Sequence, residues 1–184
     1  WGLVGMQAVI NDNNAIYVND WKPFEETSYR ARFYFDPNTI TMTNGDADYI
    51  FYAGNRDSLT VARTEFYRIS SLYQVRAEVN NDSNGWSTGG WRTISDAPHY
   101  LEIYWRAATA PAANNGGLTF WIDGVQQDNF TTVDNDTRRV EYVQLGPLSG
   151  IDNGTRGTLY FDAFESRRNT YIGPVAGLLS GYRM

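Results

Sequence analysis

The chain has 184 residues, no cysteine, one histidine, one lysine (Lys22) and a formal net charge of −6. Absent cysteine excludes a Cys₄ zinc site, a thiol nucleophile and disulfide or redox chemistry. The negative charge, with arginines scattered along predicted strands, argues against nucleic-acid binding, and no apolar run approaches the ~20 residues of a membrane span.

The length suits one domain, and a chain of this size buries about 70% of its unfolded surface without disulfides. The expected division is a β-sandwich over residues 1–168 and a tail or linker over 169–184. A start at Trp1, without methionine, reads as a processed or excerpted segment. Aromatic content is 15%, with 13 Tyr and 6 Trp. Sandwich cores and sugar-binding surfaces both use such residues.

In chain order, Met6, Ala8 and Ile10 alternate with Gln7 and Val9. Asn11–Asn14 reads as a turn into a second strand at Ala15–Val18, a terminal hairpin within residues 1–20. From Tyr29 to Phe35, Tyr29, Ala31, Phe33 and Phe35 face one way and Arg30, Arg32 and Tyr34 the other. Asp36-Pro37 ends that strand. The loop Thr43–Asp48 offers Asn44, Asp46 and Asp48 as alternating oxygen donors, which is either a calcium loop or an ordinary turn. Strands follow at Tyr49–Ala53 and Ser58–Arg63. Tyr67–Asn80 reads as one extended run, with Tyr73, Val75, Ala77 and Val79 inward and Gln74, Arg76 and Glu78 outward. Trp86 and Trp91 sit among Gly, Asn and Ser, either clamped into one end of the sandwich or exposed for binding.

His99 to Val125 is the clearest stretch. Leu101, Ile103 and Trp105 alternate with Glu102, Tyr104 and Arg106. Leu118, Phe120 and Ile122 alternate with Thr119, Trp121 and Asp123. Asp123-Gly124 suits a type I′ turn. Gln126–Arg138 reads as a polar connection, with Asp134-Asn135-Asp136 a second weak calcium candidate. Val140–Leu145 is a strand, Gly146–Gly157 a loop and Thr158–Arg167 the closing strand. In the tail, Val175, Leu178 and Leu179 are apolar.

The pattern His99, Leu101, Ile103, Trp105, then Leu118, Phe120, Trp121, Asp123-Gly124, then Gly157, Tyr160, Phe161, Asp162 and Phe164 resembles laminin-G-like and pentraxin-like domains. It covers roughly residues 29–168. The resemblance implies an all-β, antiparallel, concanavalin A-like jelly-roll sandwich. It also implies the kind of structural calcium that many carbohydrate-binding jelly rolls hold at the position of Asp162.

Catalytic signatures are missing. There is no E-x-D-x-x-E triplet, and Asp162 and Glu165, three apart, would face opposite sides of a regular strand. His99, the sole histidine, reads as a structural strand residue. No G-x-S-x-G, Walker A, dinucleotide or zinc motif occurs. The expectation is therefore a non-catalytic extracellular or cell-surface module, a carbohydrate-binding or adhesion domain of a bacterial extracellular protein. Its glycan groove would be Arg32, Tyr34, Arg76, Glu78, Glu102, Tyr104 and Trp121, with Trp86 and Trp91 at the rim. The same alternating charges equally suit a solvated sheet face. The alternative is a structural subunit of an extracellular filament, sheath or surface layer, pairing with copies of itself through residues 1–10 and 170–184.

Overall fold

Period-2 alternation becomes thirteen strands in the computed structural model, which describes residues 5–175. Sheet A runs in the order β1 (Met6–Ile10), β13 (Gly157–Arg167), β3 (Ser28–Asp36), β9 (His99–Arg106), β10 (Gly116–Ile122) and β11 (Val125–Val133). Sheet B runs β2 (Val18–Asp20), β12 (Tyr142–Ser149), β4 (Ala47–Gly54), β5 (Thr60–Ile69), β6 (Leu72–Asn80) and β7 (Trp86–Thr88), and β8 (Arg92–Ile94) also pairs with β6. All pairings are antiparallel, and the chain crosses between sheets repeatedly, as in a jelly roll.

The core lies between the sheets. Phe33 of sheet A stacks on Phe51 of sheet B at 5.5 Å, and Phe35 meets Phe66 edge-on at 5.0 Å. Each such buried side chain contributes about 1.5–3 kcal/mol relative to exposure. The stretch from His99 folds as the alternation requires: Leu101, Ile103, Trp105, Leu118, Phe120 and Ile122 are all buried. Leu118 pairs with Trp105 and Phe120 with Ile103. Asp123 and Gly124 have φ of 50° and 82°, the double positive φ of a type I′ turn.

Four strand expectations need correction. The hairpin expected within residues 1–20 is not formed among the described residues 5–20: β1 pairs with β13 in sheet A and β2 with β12 in sheet B. Asp12 accepts from the Asn14 amide, and the Ile16 amide donates to Pro147 O, so residues 11–17 cross between sheets instead of turning tightly. Residues 126–133 are not a loop but most of β11, an edge strand whose polar side chains hid it. The run from Tyr67 breaks at Ser70 (φ 55°), which closes a β5–β6 hairpin, and β5 extends past Arg63 to Ile69. β12 runs on through Gly146 to Ser149.

A bulge in β13 also changes which residues share a face. Asp162 pairs with Tyr34 and Glu165 with Arg32, so three residues of β13 span two of β3. The extra residue, Ala163 at φ 49°, brings Asp162 and Glu165 to the same outward side.

After β13 the chain turns back, and residues 169–175 lie against the outer face of sheet A. Leu178 and Leu179, and residues 1–4 of the proposed N-terminal pairing segment, lie outside the described residues.

Candidate functional site

The predicted groove residues fall on two opposite faces. Arg32, Tyr34, Glu102, Tyr104 and Trp121 point outward from sheet A, while Arg76, Glu78 and Trp86 belong to sheet B and Trp91, in the loop between β7 and β8, lies over Arg76. They do not share one groove, because β3 and β9 pair with each other while β6 pairs with β5 in the other layer.

The face of sheet A is occupied by its own chain. Arg30 donates to Glu102 at 2.7 Å, and Glu102 is fully buried. The amides of Ile172 and Gly173 donate to the two Glu102 oxygens at 3.0 and 2.9 Å, and the Val175 amide donates to Tyr34 Oη at 3.2 Å. Trp121 meets Tyr171 edge-on at 5.8 Å, and the Arg30 guanidinium lies over Tyr104, Trp121 and Tyr171. Arg32 pairs with Glu165 at 2.8 Å.

The outer face of sheet B carries the stronger concentration of reactive groups. Strand register builds two cross-strand rows: Gln144, Tyr52, Arg63, Glu78 and Thr88, and beside it Tyr49, Glu65 and Arg76. Arg63 Nε donates to Glu78 Oε2. Arg76 donates to Glu65 at 2.6 Å through Nε and lies 3.5 Å from Glu78 through Nη2. One guanidinium thus spans two carboxylates. Indole rings cover both arginines: Trp86 lies 3.7 Å from Arg63 and Trp91 4.1 Å from Arg76, ring centroid to guanidinium carbon. Trp91 in turn stacks on Tyr67 at 4.5 Å. These two tryptophans are therefore half-buried platforms of this face.

Burial sets the protonation chemistry here. It pushes the Glu65 carboxyl up, although the Arg76 hydrogen bond and charge pull the other way. It pushes the Tyr49 phenol up, helped by the Glu65 charge. Burial also raises Tyr52, whose hydroxyl shares a 2.7 Å hydrogen bond with Ser149 Oγ. The phenols stay protonated and can donate, while Glu65 is a stronger base than an ordinary carboxylate.

Sequence reasoning missed Tyr49, Tyr52, Arg63 and Glu65. Ending a strand at Arg63 hid the alternation of Ala62, Thr64 and Phe66 with Arg63, Glu65 and Tyr67, which was there to be read.

Candidate cation ligands are dispersed. Asp162 lies on β13, and its Oδ1 accepts from the Ala163 amide. Asp46 accepts from the Thr43 amide. Asp48 is fully buried, and burial, with the charges of Asp152 and Asp46, pushes it up to about 7. The acidic groups that converge among the described residues are Asp82, Asp134 and Asp136, whose oxygens lie within 4.8 Å of one another and could hold a metal ion. Asp136 is pushed up by desolvation and by the hydrogen bond and charge of Asp82. No helix among the described residues is long and apolar enough to cross a membrane.

No protein-family model matches the chain, and no curated protein matches it. Solved structures do. Alginate lyase AlyC3 superposes with a TM-score of 0.62 at 12% identity, covering 89% of this chain and 74% of that one. The same lyase in complex with dimannuronate gives 0.61 at 12% identity, covering 90% and 75%. A heptameric SAP-like pentraxin from Limulus polyphemus gives 0.57 at 12%, covering 89% and 76%. These likenesses establish the concanavalin A-like jelly-roll fold. They also correct the argument against catalysis. Proteins of this architecture include alginate lyases, so a missing glucanase triplet and a lone histidine do not exclude an enzyme. The expectation of a non-catalytic module, with assembly as its alternative, is corrected accordingly.

Proposed function

We propose that this chain is a polysaccharide-degrading enzyme that cleaves a uronate-containing polymer by elimination on the outer face of sheet B. The observation that carries this reading is the pair of rows in which Tyr52, Arg63 and Glu78 lie beside Tyr49, Glu65 and Arg76. Its support is the shared fold of the alginate lyases and the bound dimannuronate in one of them.

Elimination needs three things. A cation must neutralise the uronate carboxylate, so that the carbon beside it can lose a proton. A base must take that proton. An acid must protonate the departing glycosidic oxygen. Arg63 and Arg76 supply the positive charge, since guanidinium recognises carboxylates through paired N–H donors. Glu65 is the base, its proton affinity raised by burial. Tyr52 is the acid, kept protonated by burial. Trp86 and Trp91 offer faces for the C–H side of the sugar rings. The carbon–oxygen bond breaks, a carbon–carbon double bond forms, and no water is consumed. A polymeric substrate supports an extracellular setting.

Calcium is the cation we propose for Asp82, Asp134 and Asp136, because carboxylate oxygens suit a hard divalent ion.

The test is incubation with polymannuronate and, separately, with a neutral glucan, following ultraviolet absorbance of the new double bond and the release of reducing ends. Both signals on polymannuronate alone support the proposal. Reducing ends without absorbance replace elimination by hydrolysis, and neither signal on polymannuronate overturns it.

A further inference from the structure

His99 has a second partner set that the polysaccharide reading does not use. Its Nδ1 lies 2.6 Å from Asp123 Oδ2, and its Nε2 lies 2.8 Å from Ser95 Oγ. Asp123 is held in place by the turn it begins: its Oδ1 accepts from the Tyr100 amide at 2.9 Å, and its own amide donates to Tyr100 O at 2.9 Å. A carboxylate can only accept, so Nδ1 carries the imidazole proton and Nε2 presents its lone pair. The Ser95 amide, 3.1 Å from Nε2, is a donor and requires the same tautomer. With that tautomer the Ser95 hydroxyl is the donor in its 2.8 Å contact and shares the Nε2 lone pair with the Ser95 amide. This is the hydroxyl–imidazole–carboxylate order that activates a serine.

The surroundings suit a small substrate. Ser95 is exposed and lines a cavity of about 500 Å³ shared by Ile40, Met42, Arg68, Leu72 and Tyr73. Arg68, which donates to Ile40 O and Tyr73 Oη, puts positive charge on that wall, and Asp96 on the same wall disfavours an anionic ligand.

We propose that Ser95, His99 and Asp123 form a second active site, a nucleophilic triad that hydrolyses short, neutral carboxylic esters such as O-acetyl groups. Ser95 Oγ forms a bond to the ester carbonyl carbon while its proton passes to His99 Nε2. The alcohol leaves with that proton, giving an acyl-serine. Water, deprotonated by Nε2, then displaces Ser95, which recovers its proton. Ser95 and His99 are the catalytic residues, and Asp123 is a positioning residue. The proposal stands apart from the reading of sheet B and does not depend on it.

The experiment is to treat the purified chain with a fluorophosphonate probe, map the modified residue by peptide mass spectrometry, and measure hydrolysis of p-nitrophenyl acetate in parallel. We expect one adduct, on Ser95, absent from Ser95→Ala. In Asp123→Asn the labelling rate should fall by up to about 10⁴-fold while any adduct stays on Ser95. A merely structural Asp123 would leave the labelling of folded protein unchanged. Ser95→Ala removes one exposed hydroxyl and should keep the wild-type melting curve, which separates lost reactivity from lost folding. No adduct on the folded wild-type chain overturns the triad, as does an adduct that persists in Ser95→Ala.

Discussion

Arg30 donates to Glu102 at 2.7 Å between neighbouring strands of sheet A, and Glu102 has no exposed surface. The same carboxylate holds the returning chain through the amides of Ile172 and Gly173. Breaking a buried pair on one side leaves an uncompensated charge and costs about 3–5 kcal/mol. Glu102→Gln should therefore lower the unfolding free energy by roughly that amount in urea titration. Arg30→Met with Glu102→Gln should recover part of it, since no charge is then left unpaired and the side-chain amide oxygen still accepts from the returning chain. A loss below about 1 kcal/mol in Glu102→Gln would show that the pair contributes little.

Tyr52→Phe isolates the proposed acid. It removes one hydroxyl whose partner, Ser149 Oγ, can turn to water. The melting temperature should stay within a few degrees, while kcat on a polyuronate falls about 10²–10³-fold, the range for a lost proton donor. Unchanged kcat would move the acid role elsewhere.

Asp48 makes stability depend on pH. Its carboxyl rises from 3.8 to about 7 in the folded chain, chiefly through burial. The folded state thus holds the proton longer than the unfolded state does. No penalty exists below about pH 4, stability falls as pH rises from there towards 7, and the loss is complete above it. Asp48→Asn should melt higher than wild type near pH 8 and not near pH 3.5. Equal differences at both pH values would contradict the assignment.

The Asp82, Asp134 and Asp136 group predicts a calcium-dependent melting temperature. Millimolar calcium should raise it by mass action, and excess chelator should reverse the gain. Asp134→Asn should abolish the response. A wild-type curve indifferent to both additions contradicts a stabilising site.

Strands that cover the core were legible from residue order, because burying one face enforces alternation at Tyr29–Phe35 and Leu101–Trp105. The edge strand β11 was not, since Gln126–Thr132 buries little and shows no apolar period. Sheet membership was equally hidden. Arg32 and Arg76 occupy the same kind of outward position, and long-range pairing alone decides that they lie on opposite faces. The β13 bulge reversed the parity of Asp162 and Glu165, a one-residue shift that residue spacing cannot reveal. The Ser95–His99–Asp123 constellation spans three segments and becomes visible only when β9 and the turn after β10 meet.

The most direct measurement is the mass of the oligosaccharides released from polymannuronate by the wild-type chain and by Arg63→Ala. Elimination predicts that every newly made non-reducing end is unsaturated, so that products bearing one are a water lighter than hydrolytic products of the same length, and that release by the folded variant is strongly reduced. Intact polymer after exhaustive incubation with the wild-type chain would contradict the account.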